Sequence, residues 1–431
     1  MKPFGLVFVF VACLAPLIWL PGIAAGRDLI ALFSQYLGMV ALITMALAQV
    51  IATRAPGVEL FFGPMDRSYR IHKWLGIAGL VTILLHDTID AEMRGLGAET
   101  LLVEVAETAG EISLYGVLIL VVITVATFIP YHLWKWTHRL IGSFFVLGAF
   151  HYLFILKPFG NGDPLGLYMS AVCTIGVLAY AYTSAPRSLR PGRRYKIDTV
   201  AKEGRAISVT LKPEGRALRH QPGQFAFFAF DGAGLDEPHP FTISAAPEEA
   251  GKLRATIAPL GDLTARVVGA LDVGQSVRVD GPYGRFGRAT RGPLLWIAAG
   301  VGVTPFVALA EALTDDAAPV RMIYVVRSQN DAAHLKLLQA IATTKPNFEL
   351  TLWESAIKGH LTADQAIETA GPEFKIANVL FCGPLEMRKA LGEGLRKRGI
   401  SQAQFQYEEF EIRTGIGLQA LQRWLWRKIR S

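Results

Sequence analysis

The sequence predicts three folds in series: a membrane all-α bundle of six helices, a small antiparallel β-barrel, and an α/β domain with an open parallel sheet. Three observations predict it. Six apolar runs, each close to the ~20 residues that span a bilayer as a helix, crowd the first 184 residues. Residues 195–290 then alternate apolar and polar over short runs broken by Gly and Pro. From 293 the rhythm becomes strand, Gly-rich turn, helix.

Composition agrees. Of 431 residues, 52% are hydrophobic and only 18% charged, too apolar a balance for an ordinary soluble chain. The net charge is +7, but the basic residues gather beside apolar runs, so they read as topology signals and not as a nucleic-acid surface. The three cysteines, Cys13, Cys173 and Cys382, form no CxxC or CxxCH, which argues against a disulfide framework, an iron–sulfur cluster and covalently attached haem.

The apolar runs cover about 4–22, 29–51, 71–89, 112–130, 134–156 and 165–184. The first has Lys2 before it and Ala24–Ala25 near its end, as a signal peptide would, but it is long for a signal-peptide core and is expected to be an uncleaved helix. Arg54, Arg67, Arg70 and Lys73 separate the second and third runs, Lys135 and Arg139 open the fifth, and Arg187, Arg190, Arg193, Arg194 and Lys196 follow the sixth. The 90–111 connection is acidic, with Asp90, Glu92, Glu99, Glu104, Glu107 and Glu111. The positive-inside rule then places both termini of a multi-pass protein in the cytoplasm, with lipid around the bundle.

The barrel strands are read from "KIDTVA", "AISVTL", "QFAFFAF", "LRATIAPL" and "SVRVDGPYG", and the parallel strands from "PLLWIAA", "RMIYVVRS", "FELTLWES" and "NVLFCGP". Expected boundaries are 1–186, 187–290 and 291–413, with a basic tail over 414–431. In the tail, Leu418, Leu421 and Trp424 share a helix face among Arg423, Arg427, Lys428 and Arg430, which suits either a helix on the membrane surface or a solvated tail.

Four of the nine histidines lie in two apolar runs, His72 and His86 in the third, His138 and His151 in the fifth. Ionisable or metal-binding side chains are costly inside a bilayer, so each is a functional candidate. Fourteen residues of helix return to within about 40° of the starting face after a rise of about 21 Å, so His72 and His86 share a face near opposite membrane surfaces. Thirteen residues leave His138 and His151 about 140° apart, a misfit that a π-bulge or a ligand at the frayed helix start would repair. The two helices run in the same direction, which puts His72 level with His138 and His86 level with His151. Facing imidazoles at one depth make an axial pair for a haem iron, and two pairs make a two-haem ladder. Gly76, Gly142, Gly79 and Gly148 offer room for a porphyrin edge. The alternative is four polar residues that hydrogen-bond between helices.

The stretch "HPFTISAAP", 239–247, follows "HQPGQFAFF", 220–228. A flavin site needs an aromatic ring beside the isoalloxazine, a hydroxyl near N5 and donors for the pyrophosphate. Phe241, Thr242 and His239, with Pro240 between them, are of those types, although a strand ending in a turn has the same pattern. In "IAPLGDLTARV" the Gly261 turn and the Thr264 hydroxyl are placed to meet phosphate at a helix start. In "AAGVGVTPF", Gly300 and Gly302 let the backbone approach a pyrophosphate, and the helix that opens at Thr304 supplies N–H groups. Pro305 stands where a Rossmann motif has its last Gly or Ala, and points to a different dinucleotide family. "FCGP" puts Cys382, Gly383 and Pro384 at a strand end, where open α/β sheets bind ligands. Arg327 reads equally as a contact to an adenosine 2′-phosphate and as a solvated charge, so NADH versus NADPH stays open.

In this order, over roughly residues 30–410, the motifs resemble the ferric reductase / NADPH oxidase superfamily: spaced histidine pairs, "HPFT", a GxGxxP turn and "CGP". The plan is most similar to its compact bacterial members. The resemblance implies that NAD(P)H gives a hydride to FAD in the cytoplasm. Electrons then pass singly to an inner haem b (His72, His138), an outer haem b (His86, His151) and an acceptor outside the bacterial cell membrane, oxygen or a ferric chelate. It also implies a C-terminal aromatic that covers the flavin until nicotinamide displaces it; "YEEFEIR" matches there, with Phe410 as that aromatic and Glu408 beside it. With Thr242 and Cys382 these complete the residues assigned to catalysis. Phe144 and Phe145 read either as a bridge between haems or as core aromatics. The chain departs from the pattern at Ala258–Pro259, where relatives often carry a Lys, and at Asp90, where superoxide-producing members tend to have a second His. The second helix also lacks an internal Arg. Those departures leave room for a metal-chelate or quinone acceptor. The competing readings are a relay subunit that feeds a separate extracytoplasmic protein and a flavin reductase anchored by a haem-free bundle.

Overall fold

The computed structural model describes residues 3–89, 93, 96–125, 131–186, 192–284, 286–287, 292–371 and 377–408. It divides into two compact units near residue 190. The first is helical: α1 (Pro3–Leu14), α2 (Leu20–Ile23), α3 (Leu29–Ala52), α4 (Pro56–Phe62), α5 (Met65–Thr88), α6 (Leu101–Val125), α7 (Tyr131–Arg139), α8 (Ile141–Phe154) and α9 (Pro164–Ser184). Asp28 caps α3, its carboxylate accepting from the N–H groups of Ile30 and Ala31 at 2.6 and 3.2 Å. The long α3 packs on α5 and α9, while α6 packs on α8. Met39, Ile43, Met169 and Cys173 fill one core. Outward faces are apolar too: Ile119, Val122 and Leu178 are 59%, 61% and 63% exposed, a surface that suits lipid and not water.

Six spanning runs were expected. Among the described residues four segments are long and apolar enough to cross a membrane: Phe4–Ile23, Leu29–Ala52, Leu101–Thr124 and Pro164–Ser184. The other two fall short for visible reasons. Helix α5 starts earlier than the predicted run, and its first turns carry Arg67, Arg70 and Lys73. The fifth run is broken at Leu140 into α7 and α8. That break lies between His138 and His151, so a change of helix, and not a π-bulge, separates the two rings. The acidic connection also differs from expectation. Helix α6 begins at Leu101, and Glu104, Glu107 and Glu111 line its exposed face. Val103, Ala106 and Ala109 turn inward at helical spacing.

The second unit holds two sheets. In the first, β1 (Arg193–Glu203), β2 (Ala206–Pro213), β3 (Phe225–Phe230), β4 (His239–Thr242), β5 (Leu253–Ile257) and β6 (Ser276–Tyr283) form an antiparallel sheet of order β4-β3-β6-β1-β2-β5. Just past β4, Ile243 bridges to Ala255 of β5, so the two edges meet at one point. Tyr195, Val209, Phe228, Phe230 and Ile257 are buried in its core. Helix α10 (Asp262–Ala270) follows β5.

The second sheet is parallel, with order β11-β10-β7-β8-β9. Its elements are β7 (Leu294–Ala299), α11 (Thr304–Glu311), β8 (Val320–Val326), α12 (Leu335–Thr344), β9 (Phe348–Glu354), α13 (Ser355–Lys358), α14 (Ala363–Ala370), β10 (Asn378–Cys382), α15 (Leu385–Lys397) and β11 (Phe405–Glu408). Trp296, Phe306 and Leu338 fill the core on one face, and Ile297, Ala366 and Leu395 that on the other. The near-continuous burial of β7, β8 and β10 is what a two-sided sheet requires. The chain steps outward from β7 to β9, then returns to the other side of β7 as β10. The switch point is therefore between β7 and β10, and in open α/β sheets the ligand crevice lies outside the carboxyl ends of the strands at such a point.

Candidate functional site

In the helical unit three of the four histidines are held in one manner. His72 Nδ1 lies 2.9 Å from the Ala48 carbonyl oxygen, His86 Nδ1 2.8 Å from that of Ser34, and His151 Nδ1 2.9 Å from that of Ala106. A carbonyl can only accept, so each Nδ1 carries the proton and each Nε2 presents a lone pair. This is how proteins fix a metal-ligating imidazole. His138 Nδ1 instead lies 3.4 Å from the Thr124 hydroxyl, and its ring stacks on Trp134 at 5.1 Å. The rings of His72 and His138 are 6.1 Å apart, centre to centre. Two metal–imidazole bonds of about 2 Å, with roughly 1 Å from each nitrogen to its ring centre, span about the same distance. The residues therefore fit an axial pair. Among the described residues no group of three or more His, Cys, Asp or Glu is placed to hold a metal ion; an axial pair needs only two.

Glycines matter here, but not those singled out in the sequence. Gly142 lies against the ring of Tyr180, Gly148 against Ser113 and Gly79 against Met45 and Thr44, so these three admit neighbouring helices; only Gly76 of the four faces open space. The residues missed were Gly38 and Gly110. A Cβ at Gly38 would lie 3.3 Å from the His86 ring, and one at Gly110 would lie 2.6 Å from His151 Nδ1. Both sit on the facing helices; in sequence Gly38 is one Gly in an apolar run, and Gly110 one Gly in the acidic 90–111 connection. Phe144 lies over Gly116, and Phe145 is fully buried against Gly176 and Ala46.

In the second unit, register places Thr242 opposite Phe225, Phe241 opposite Ala226 and His239 opposite Phe228. Strand alternation sends Phe241 toward Phe228 and Phe230, at 5.9 and 6.5 Å, and Thr242 to the opposite face beside Phe225. There Phe225, Phe227 and Tyr283 form an aromatic cluster with centroids 5.7–6.0 Å apart, which sequence reasoning did not pick out. The Thr242 hydroxyl is buried and has no hydrogen-bond partner among the described residues. A buried orphan of this kind calls for an explanation, and a flavin nitrogen would supply its partner. His239 Nδ1 donates to the Glu237 carbonyl at 3.1 Å. The Thr264 hydroxyl accepts from the N–H groups of Gly261 and Leu260 at 2.9 and 3.0 Å, so it holds the turn that starts α10.

The glycine turn after β7 and the "CGP" turn after β10 come together at the switch point. Gly302 packs so closely on Cys382–Gly383 that a Cβ would lie 2.7 Å from the Cys382 carbonyl carbon. Gly300 has φ +55°, a left-handed conformation that suits glycine. Thr304 and Pro305 are buried where α11 opens. Pro384 caps α15, and Arg327 is exposed at the end of β8. Cys382 is fully buried and pairs in register with Glu408 on β11. Burial, and then Glu408, push its thiol well above the usual range, so it stays protonated. Phe410, Asp90 and the 414–431 tail lie outside the described residues.

Three family models match the chain: a ferric reductase like transmembrane component over residues 37–149, an FAD-binding domain over 193–286 and an oxidoreductase NAD-binding domain over 296–392. The chain has the ferric reductase/NADPH oxidase-type architecture. The chain thus joins a membrane-type helical unit to the FAD- and NAD-binding domains of NAD(P)H-dependent electron transfer. Its C-terminal half is similar to the electron transfer component of toluate 1,2-dioxygenase from Pseudomonas putida, 30% identical over 47% of this chain and 63% of that protein. It is also similar to the glycine betaine monooxygenase reductase subunit of Pseudomonas aeruginosa, 27% identical over 44% of this chain and 56% of that one. The chain thus spans less than two thirds of these relatives. Among solved structures, the FAD/NAD-binding domain of nitric oxide dioxygenase from Vibrio cholerae aligns with a TM-score of 0.46 and 22% identity, over 51% of this chain and 98% of that one.

Proposed function

We propose that the protein carries electrons from cytoplasmic NAD(P)H through FAD and two b-type haems to an extracytoplasmic acceptor, oxygen or a ferric chelate. The observation that carries this reading is the 6.1 Å His72–His138 pair in the same chain as FAD- and NAD-binding domains. His72 and His138 would hold the inner haem, and His86 and His151 the outer one. Bound there, the haems supply one-electron carriers, and bound FAD supplies the conversion of a hydride pair into single electrons. The chain's own residues position these groups. The Nδ1 bonds aim the imidazoles. Thr242 offers its hydroxyl to the flavin ring, and His239 and the Gly261 turn face its phosphates. Gly300, Gly302, Thr304 and Pro305 admit the nicotinamide dinucleotide against the start of α11, with Arg327 at its adenosine end. Cys382 and Glu408, backed by Gly383 and Pro384, stand at the nicotinamide end, and Phe410 covers the flavin.

In this reading all six apolar runs cross a bacterial cell membrane, with α5 and α7–α8 joining the four apolar helices, and both termini are cytoplasmic. The domains are 1–186, 187–290 and 291–413, followed by a basic 414–431 tail. The deciding experiment is an anaerobic absorption spectrum of the purified, detergent-solubilised protein before and after NADPH. The expected result is reduced b-type haem bands with about two haems and one flavin per chain. Flavin bands alone in fully assembled protein would overturn the two-haem reading. Reoxidation by oxygen, compared with ferric chelate, then identifies the acceptor.

A further inference from the structure

The two sheets of the second unit meet along a polar seam, and His334 is its centre. It is buried, at 4% exposure, and its backbone is left-handed, with φ +56°. Left-handed backbone is costly for a residue that is neither Gly nor Asn, and it persists where surrounding contacts over-determine it. Here the contacts come from the flavin-side sheet. The His334 N–H donates to Glu203 Oε2 at 2.9 Å, and Nε2 shares a 2.7 Å hydrogen bond with the Thr256 hydroxyl. Thr256 in turn bonds the Ser244 hydroxyl at 3.0 Å. Ser244 is two residues beyond Thr242, the orphaned hydroxyl of the flavin-side strand. A second link runs beside the first: Arg254 of β5 pairs with Glu311 of α11 at 2.9 Å and also donates to the Ser244 carbonyl, while Glu311 accepts from the Ala246 N–H at 2.8 Å. Gly204, with φ +60°, lets the β1–β2 turn close on the Asn330 carbonyl.

On the nicotinamide side, His334 stands at the N-cap of α12. It therefore ends the loop that begins at Arg327, after β8. Its bonds tie one end of that loop to β1 and β5 of the flavin-side sheet and, through Thr256 and Ser244, to the segment that follows Thr242.

We propose that His334 is a positioning residue for hydride transfer: with Glu203 and Thr256 it clasps the loop after β8 to the flavin-side sheet, and so fixes the nicotinamide half at reacting distance from the flavin. This rests on the flavin–nicotinamide reading above. Misplacement of reacting atoms by an ångström costs about 100-fold in rate even when both partners bind normally. A clasp should therefore act on the transfer rate and leave dinucleotide affinity nearly untouched. The clasp is also acid-sensitive. Burial, and then Arg254, lower the His334 pKa to about 4, against the opposing pull of Glu203 and Glu311. Asp331 and the Tyr324 hydroxyl are the other ionisable groups nearby. Once protonated, Nε2 can only donate, so the Thr256 hydroxyl must turn to accept from it and the hydroxyl chain through Ser244 rearranges.

The test is pH-jump stopped-flow bleaching of the flavin by NADPH in the full-length holoprotein, with hydrogen exchange of the peptides that contain Gly204 and residues 330–334. Thr256→Val should slow bleaching at saturating NADPH at least tenfold, shift its KM less than threefold and speed exchange in both peptides. His334→Gln puts its amide where the imidazole Nε2 stands and so can bond Thr256, but it does not titrate. It should bleach within threefold of wild type at pH 7 and lose the roughly twofold fall in rate that wild type shows between pH 6 and pH 4, where about half of the His334 rings become protonated. Wild-type bleaching and exchange in Thr256→Val, or an unchanged acid fall in His334→Gln, overturns the proposal. If NADPH bleaches no flavin at any pH, the functional reading fails instead, and the exchange data still report on the clasp.

Discussion

Gly302→Ala tests whether the switch-point crevice is the dinucleotide site. A Cβ there would lie 2.7 Å from the Cys382 carbonyl carbon and closer still to its oxygen, with the Gly383 nitrogen at 3.1 Å. All of these are backbone atoms, so no side chain can swing aside. Ordinary van der Waals contact requires the ends of β7 and β10 to part by roughly 1 Å, a strain of about 1–3 kcal/mol for overpacking a filled site. A displacement of that size at a reacting centre lowers the transfer rate by about 100-fold. Gly300→Ala is the control. Nothing lies within 4 Å of a Cβ at Gly300, but its φ of +55° puts any side chain under strain, about 1–2 kcal/mol for a left-handed residue. The assay is flavin bleaching by NADPH under single-turnover conditions, with the melting temperature of each variant. Gly302→Ala should lose about two orders of magnitude in bleaching rate, and Gly300→Ala far less at a similar cost in stability. Equal rates in Gly302→Ala and wild type would show that the dinucleotide does not use this crevice.

Thr242→Val removes a buried hydroxyl with no partner, so the flavin-free protein should melt no lower than wild type, while FAD binding weakens about 3–10-fold for one lost hydrogen bond; tighter flavin binding in the variant would refute the assignment. His138→Ala leaves His72 without its facing imidazole and should remove one of the two haems, as counted by pyridine haemochromogen; full haem content would exclude His138 as a ligand. Gly110→Ala drives a methyl to 2.6 Å from His151 Nδ1, and should disturb the outer haem while the inner one keeps its spectrum. His334 gives a pH prediction for stability. Its pKa lies near 4 in the folded chain against 6.5 for the free side chain, so the unfolded state takes up the proton first. Its contribution, roughly 3 kcal/mol at about 1.4 kcal/mol per unit, is complete above pH 6.5 and lost as pH falls toward 4. Denaturation followed at several pH values should show this slope in wild type and not in His334→Asn.

Local chemistry determined much of this protein in the sequence itself. An apolar run long enough to span a bilayer, an alternating strand and a Gly-rich turn each depend on residues near one another in the chain. The helical unit, the antiparallel sheet and the parallel sheet were therefore legible, as were the turns that bear Gly302 and Cys382. The four histidines stood out because such side chains are costly in an apolar run. Tertiary structure decided what those residues meet. The break at Leu140 was invisible, because "HRLIGSF" has no proline and its one glycine, Gly142, comes after the break, inside α8. Glu104 and Glu107 read as loop because charge is the stronger local signal, whereas Val103 and Ala106 turn toward neighbouring helices and hold the segment helical. Gly38 and Gly110 acquire meaning only when His86 and His151 pack against them from other helices. His334 shows the limit most clearly. In sequence it is one histidine in a polar loop; its left-handed backbone and its bonds to Glu203 and Thr256 exist only because two sheets, 131 and 78 residues apart along the chain at those contacts, fold against each other. Propensity and periodicity report on neighbours in sequence, and a hydrogen bond between distant strands leaves no trace in either.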